Sequence, residues 1–260
     1  NMIYFVNQDY FPSKVAGGSA KSILLLTELI SENKLNSKVI FKDNYSSFNY
    51  DSKDIVVLNS VFGSVCRKIL FRFLIKKPAR CIIIPRGELL AGAIKNSSFK
   101  KHLYIKIVKH IYNKLNFEWV ATSVKERDSI ELLIKPKITP ILNSNLLKSI
   151  PFNSSINRTK DFCSIGRLEL KKNQLFLKNI KDKVDLFGAL SNEKGYIKKI
   201  DKVPNLIYLG NIDPDKMSEL YSEYKINLLP TLGENYGHVI VESILSGTPV
   251  IVSDTTPWSN

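Results

Sequence analysis

Apolar and polar positions alternate in blocks along this chain, and the blocks switch between two periods. Short β-branched runs at residues 2–6, 38–41, 55–58, 81–84 and 118–121 read as buried strands. Uninterrupted apolar runs of this length suit a parallel sheet covered on both faces. Between them, residues 20–30, 61–75, 98–115 and 124–134 carry apolar side chains three and four apart, the spacing of a helix with one buried face. Ser19 and Ser123 stand where N-caps belong. Residues 139–142 read as a further short strand. Strands alternating with helices predict a first parallel-sheet domain over residues 1–147.

The pattern then lapses. Around Pro151 the chain is rich in Ser and Asn and loses its period, so residues 148–160 read as a linker. A second series occupies residues 161–260. Strands are expected at 162–165, 184–187, 206–209, 226–229 and 250–252, with residues 197–200 left unassigned. Asp213 and Pro214 mark the start of a helix over 215–224, and another runs from after Gly237 to Gly247. The fold class expected is α/β, with two Rossmann-like parallel-sheet domains. Because the series stops just after its last strand, the second domain is expected to be C-terminally truncated.

Composition changes this picture in one respect. Apolar content of 44% and charged content of 24% are those of a globular protein, but the net charge is +14. Residues 55–117 hold thirteen Lys or Arg against the single acid Glu88, and so carry +12 of it. Such a window attracts nucleic acid, an anionic membrane or an anionic substrate. A coding bias toward Lys, Asn and Ile is the plainer account. The helix at 98–115 is the sharpest case, with Leu103, Tyr104, Ile107, Val108, Ile111, Tyr112 and Leu115 as its apolar face and lysines largely opposite. No signal peptide or bilayer-length apolar run is read. Cys66, Cys81 and Cys163 are scattered and odd in number, which argues against a disulfide frame or zinc site and suits a reducing compartment.

The candidate chemistry gathers in loops that follow strands, where open α/β sheets bind ligands. These are Gly17-Gly18, Pro85-Arg86-Gly87, Gly166-Arg167 with Lys172, and the stretch from Glu234 to Glu242. Glycine lets backbone approach a ligand, and the helix start after Gly237 offers free N–H groups to an anion. Arg167 and Lys172 supply positive charge suited to a diphosphate. Two carboxylates, Glu234 and Glu242, separated by seven residues, can take sugar or ribose hydroxyls. The set points to a nucleotide-sugar. Each residue alone has a plainer reading: Glu242 as a solvated helix carboxylate, Arg167 as a surface arginine, His238 as structural.

Gly233-Glu234-Asn235-Tyr236-Gly237-His238 through Glu242 resembles the E-x7-E signature of the retaining GT-B glycosyltransferases, in particular glycosyltransferase family 4 (group 1). Further segments resemble that family in the same order: Ala16-Gly17-Gly18, Ile84-Pro85-Arg86-Gly87-Glu88-Leu89 of its bacterial surface-polysaccharide branch, Ala121-Thr122-Ser123 with Glu126, Ile165-Gly166-Arg167-Leu168 with Lys172, and Ser246-Gly247-Thr248-Pro249-Val250-Ile251. The resemblance implies two domains facing across a cleft, the first for the acceptor and the second for the nucleotide-sugar. It implies that Gly17 and Gly18 back the donor diphosphate, and that Arg167 and Lys172 neutralise it. Glu234 and the backbone of Asn235, Tyr236 and Gly237 would meet the donor sugar, Glu242 would hold the ribose, and Arg86 would serve the acceptor.

The expected protein is a cytoplasmic hexosyltransferase using a UDP- or GDP-sugar, with no metal and no other cofactor. Its acceptor is expected to be a glycan or lipid-linked molecule in capsule, O-antigen or lipopolysaccharide synthesis, reached from the inner membrane face through the basic window. Nucleic acid is not an expected partner. Asn143-Ser144 departs from the family's Asn-Gly, and the helix that crosses back onto the first domain has no counterpart before Asn260. The competing readings are a GT-B nucleotide-sugar epimerase and an inactive, truncated nucleotide-sugar- or nucleic-acid-binding protein.

Overall fold

In the computed structural model, which describes residues 1–8, 18–90, 94, 99–136, 139–141, 158–191, 193 and 195–258, the chain divides into two compact units, Asn1–Leu147 and Lys148–Asn260. Each is an α/β unit built on a five-stranded, wholly parallel sheet.

The first unit contains β1 (Ile3–Val6), α1 (Gly18–Glu32), β2 (Ser37–Ile40), β3 (Ile55–Leu58), α2 (Ser64–Arg72), β4 (Arg80–Ile83), α3 (Phe99–Lys114), β5 (Glu118–Trp119) and α4 (Val124–Leu133). The sheet order is β2-β1-β3-β4-β5. Successive strand residues enter opposite cores, as the two-residue period demands. Phe5 and Val57 pack with Ile23 of α1 on one face, whereas Val6, Val56 and Leu58 pack with α2, α3 and α4 on the other. Burial on both faces explains why these strands read as continuous apolar runs.

Three expectations shift here. The helix α1 is described from Gly18, so Ser19 lies within it rather than ahead of it. Ser123 does cap α4, its hydroxyl accepting from the Glu126 N–H at 3.2 Å. Of the expected strand at 139–142, the described residues make only an isolated bridge, Ala121 with Ile141. The apolar face of α3 is also narrower than its sequence suggests. Ile105, Val108 and Tyr112 are buried, while Leu103 and Ile107 are about half exposed, at 48% and 56%. A helix lying on a sheet covers one stripe, and the stripe chosen runs through Ile105.

The second unit contains β6 (Lys160–Ile165), β7 (Val184–Phe187), α5 (Tyr196–Ile200), β8 (Leu206–Tyr208), α6 (Met217–Glu223), β9 (Tyr224–Leu229), α7 (His238–Leu245) and β10 (Val250–Val252). Residues left unassigned by periodicity thus form the short helix α5, because Tyr196 and Ile200 anchor one turn in the core. Strand order is β10-β9-β6-β7-β8. The chain winds outward from β6 to β8, then crosses to β9 on the other side. The order reverses between β6 and β9, and their C-terminal ends flank the crevice where such sheets bind ligands.

Candidate active site at the β6/β9 switch point

The loop after β6 is shaped by glycines and a reversal. Gly188, at φ +138°, brings the end of β7 so close that a Cβ there would stand 2.1 Å from the Gly166 carbonyl oxygen. The Gly166 N–H donates to the Phe187 carbonyl at 2.9 Å across this contact. Beyond Arg167 the chain makes two 3-10 turns, Leu170–Lys172 and Gln174–Asn179, joined at Asn173 in the left-handed conformation, φ +55°. Asparagine tolerates that conformation better than most residues. The reversal returns the Lys172 side chain over Gly166, its Cδ and Cε 3.8 Å from where a Cβ would stand. Gln174 fixes the turn from beneath, its Nε2 donating to the Arg167 carbonyl at 2.9 Å while its Oε1 accepts from the Tyr196 hydroxyl at 3.0 Å.

The loop after β9 is sewn to the first. The Leu232 N–H and the Thr231 hydroxyl both donate to the Lys171 carbonyl, at 2.8 and 3.2 Å. This brings Lys172 and Glu234, sixty-two residues apart, into an ion pair with both side chains only 16% and 15% exposed. Arg167 stands at the mouth, half exposed, with an Nη1 3.9 Å from a Glu169 carboxylate oxygen. Asn235 and Tyr236 lead to Gly237, which begins α7 at φ +79°. A Cβ at Gly237 would meet Ile240 Cδ1 at 2.7 Å and Glu234 Cγ at 3.0 Å, so the turn requires glycine. Gly237 itself brings no capping side chain, and the start of α7 presents its positive end on the Glu234 side.

Glu242 lies buried on α7 at 8% exposure, and its charge, after burial itself, pushes the Tyr221 phenol up. Tyr221 in turn donates to the Val239 carbonyl at 3.1 Å, tying α6 to α7. The structure therefore brings Lys172, Glu234 and the Asn235–Gly237 backbone together, with Arg167 at the rim and Glu242 deeper on the helix. It adds residues that motif reading passed over: Gln174, Tyr196, Gly188, Thr231 and Trp258. Of these only Gly188 left a signal, a glycine closing a strand.

The first unit has its own polar cluster at the ends of β1, β3 and β4. Gly17 lies outside the described residues, and Gly18 opens α1. Arg86 adopts a left-handed backbone, φ +56°, and its Nε donates to Asn59 Oδ1 at 2.7 Å. Asn59 Nδ2 donates to Asn7 Oδ1 at 3.2 Å. Burial pulls the Arg86 guanidinium down to about 10 against the opposing pull of the Glu126 carboxylate. That carboxylate is buried and accepts from the Gly87 N–H and from both the N–H and hydroxyl of Thr122, at 2.7 Å each for the latter two. Arg86 is thus held inside a network that staples three strand ends. Glu88 accepts from Ser60 Oγ at 2.7 Å and from the N–H groups of Val61 and Phe62, while burial pushes its carboxyl up.

Among the described residues no group of three or more His, Cys, Asp or Glu is placed to hold a metal ion. The three cysteines are free and buried. No described helix is long and apolar enough to cross a membrane.

Charged groups beside a helix start at such a switch point are features suited to phosphorylated ligands. Comparison with known proteins narrows that range. Residues 148–259 match the family described as "Glycosyl transferases group 1". A curated protein of Klebsiella pneumoniae, "Uncharacterized 41.2 kDa protein in cps region", is 22% identical over 223 residues, covering 80% of this chain and 62% of that protein. The chain thus spans less than two thirds of this relative's length.

Among solved structures, sucrose-phosphate synthase from Thermosynechococcus elongatus aligns at TM-score 0.74 and 13% identity over 98% of this chain and 82% of its own. The trehalose-6-phosphate protein of E. coli, bound with UDP-2-fluoro glucose, gives 0.65 at 11% over 99% and 85%. WaaG, a glycosyltransferase involved in lipopolysaccharide biosynthesis, gives 0.62 at 12% over 99% and 82%. At these identities the likeness shows the fold, which is GT-B-like. With the family match, it supports a glycosyltransferase.

Proposed function

We propose that the chain carries a retaining glycosyltransferase activity that moves a sugar from a nucleotide-diphosphate sugar to a glycan or lipid-linked acceptor in bacterial surface-polysaccharide synthesis. The observation that carries this reading is the Lys172–Glu234 pair beside the start of α7 at the β6/β9 switch point. A cation, a carboxylate and a row of backbone N–H groups suit a diphosphate and the sugar joined to it. In the reaction the bond from the anomeric carbon to the diphosphate oxygen breaks, and the electron pair leaves with the diphosphate. The acceptor oxygen bonds the same carbon on the same face, and its proton passes to the departing diphosphate. Lys172 and Arg167 stabilise the charge that develops, the term expected to dominate such catalysis. Glu234 and the Asn235–Gly237 backbone position the sugar, and Glu242 takes the ribose hydroxyls.

With two fixed cations beside the leaving group the reading calls for no metal, and chelator is expected to leave turnover unchanged. Residues 161–260 of the second unit form the donor-binding domain and residues 1–147 the acceptor domain, with Gly17 and Gly18 backing the donor diphosphate and Arg86 serving the acceptor. The location of the relative's coding region in a cps region favours capsule or related polysaccharide. An anionic membrane surface is the proposed setting, because Leu103 and Ile107 stand exposed on α3 beside Lys106. A flotation assay with anionic vesicles at low and high salt tests that part.

The central test is a calorimetric panel of UDP, GDP, ADP and CMP on the wild-type chain, Arg167→Ala and Glu242→Ala. One nucleoside diphosphate should bind well above the others and lose affinity in both variants. Binding of none, or binding indifferent to both substitutions, would refute the donor-site assignment.

A further inference from the structure

The second half of the loop after β9 is held from an unexpected quarter. Its first half is fixed to the Lys171 carbonyl through Thr231 and Leu232, as described above. Its second half is reached by Trp258, which lies beyond β10. The Trp258 indole N–H donates to the Tyr236 carbonyl, and the two rings lie 5.8 Å apart in a tilted arrangement. Tyr236 also packs edge-on against His238, the first residue of α7, at 5.0 Å. The segment bearing Trp258 is itself anchored. Ser253 and Thr255 hydroxyls donate to the Thr231 carbonyl, Thr256 is fully buried, and the Trp258 N–H donates to the Thr256 hydroxyl at 3.4 Å. Trp258 nevertheless remains 40% exposed.

We infer that Trp258 is a positioning residue of the donor site, clamping the Glu234–Gly237 loop so that its backbone and Glu234 meet the nucleotide-sugar in one conformation. The inference rests on the donor-site reading above. Within that loop Glu234 pairs with Lys172 and accepts from the Asn235 N–H at 3.3 Å, and Trp258 adds a contact from beyond β10. An indole supplies one directed hydrogen bond and a large rigid face with few rotatable bonds. Loss of the clamp should weaken ligand binding by loosening the loop, while the fold, anchored by Ser253, Thr255 and Thr256, survives.

The sequence makes the test clean, since it contains two tryptophans, and Trp119 is buried in the other unit's core. The full chain labelled with fluorotryptophan gives two fluorine resonances, assigned by Trp258→Phe. Titration with UDP or GDP, whichever calorimetry shows to bind, should shift the Trp258 resonance and leave that of Trp119 in place. Trp258→Phe keeps a ring but loses the N–H. It should raise the dissociation constant of that nucleotide roughly three- to tenfold, the range for one neutral hydrogen bond, with Trp258→Ala at least as affected. Because Trp119 reports only the other unit, folding of the variants is read from far-UV circular dichroism and a urea-unfolding profile, each matching wild type. If the nucleotide binds but neither moves the Trp258 resonance nor weakens in Trp258→Phe, the clamp is refuted and the donor site stands. If no nucleotide binds wild-type chain, the donor reading falls and the clamp with it.

Discussion

Lys172 and Glu234 pair with each other at the candidate site, and this makes opposite predictions for the two residues. Their side chains are about one-sixth exposed, so the pair lies between a surface bridge and a fully buried one. Exposed pairs contribute about 0–1 kcal/mol, and breaking a fully buried one costs about 3–5 kcal/mol. We therefore expect Lys172→Met or Glu234→Gln alone to cost about 2 kcal/mol of unfolding free energy, and the double variant to cost less than the sum. Toward UDP the two diverge. Lys172→Met removes the cation and should weaken binding at least tenfold, the loss of a charge-assisted contact worth about 1.5–3 kcal/mol. Glu234→Gln frees Lys172 and removes a negative charge near the diphosphate. It should tighten UDP binding by about 1 kcal/mol, or about fivefold, while sugar transfer falls. Urea unfolding followed by isothermal calorimetry reads both quantities. If Glu234→Gln weakens UDP as much as Lys172→Met does, Glu234 contacts the nucleotide itself and the reasoning fails.

Four further outcomes follow from the structure. Gly188→Ala would set a Cβ 2.1 Å from the Gly166 carbonyl, so backbone must move, and we expect a drop of several degrees in Tm with loss of nucleotide binding. Gly195→Ala, where a Cβ meets nothing within 4 Å, controls for the backbone cost of replacing a glycine at positive φ and should leave nucleotide binding intact. Asp54 is held below its ordinary 3.8 by N–H groups of Asp51 and Met2, at 2.7 and 2.9 Å. Because its pKa is lowered in the fold, the stabilisation is present above 3.8 and is lost as pH falls through the folded value. Acid titration of stability should therefore be shallower in Asp54→Asn. Ser123→Ala should cost about 1 kcal/mol through loss of the α4 cap, measured by denaturant unfolding, with nucleotide binding unchanged.

Much of the fold was legible in the chain because its signals are local. A strand such as Ile55–Leu58, buried along its last three residues, announces itself as an apolar run, and α4 as an apolar period behind a serine cap. The candidate site was legible for a similar reason. Glycines, cations and carboxylates stand directly after strands, and a parallel sheet delivers those loops to one edge. Legibility ended where several contacts compete for one residue. Ser19 lies within α1, and the stripe of α3 that the core buries runs through Ile105, Val108 and Tyr112, so Leu103 and Ile107 stay exposed.

The sequence by itself determined the alternation of strands and helices, the basic window and the residue types available to a phosphorylated ligand. Only the tertiary structure decided which of them meet. The sheet order β10-β9-β6-β7-β8 makes neighbours of β6 and β9, so that Lys172 reaches Glu234. Gly188 lets β7 close on Gly166, and Trp258 returns from beyond β10 to hold Tyr236. These partners are separated by dozens of residues or, like Tyr236 and Trp258, by a helix and a strand. No local period records such pairings, because they arise from strand order and from the entropy already spent in forming the sheet.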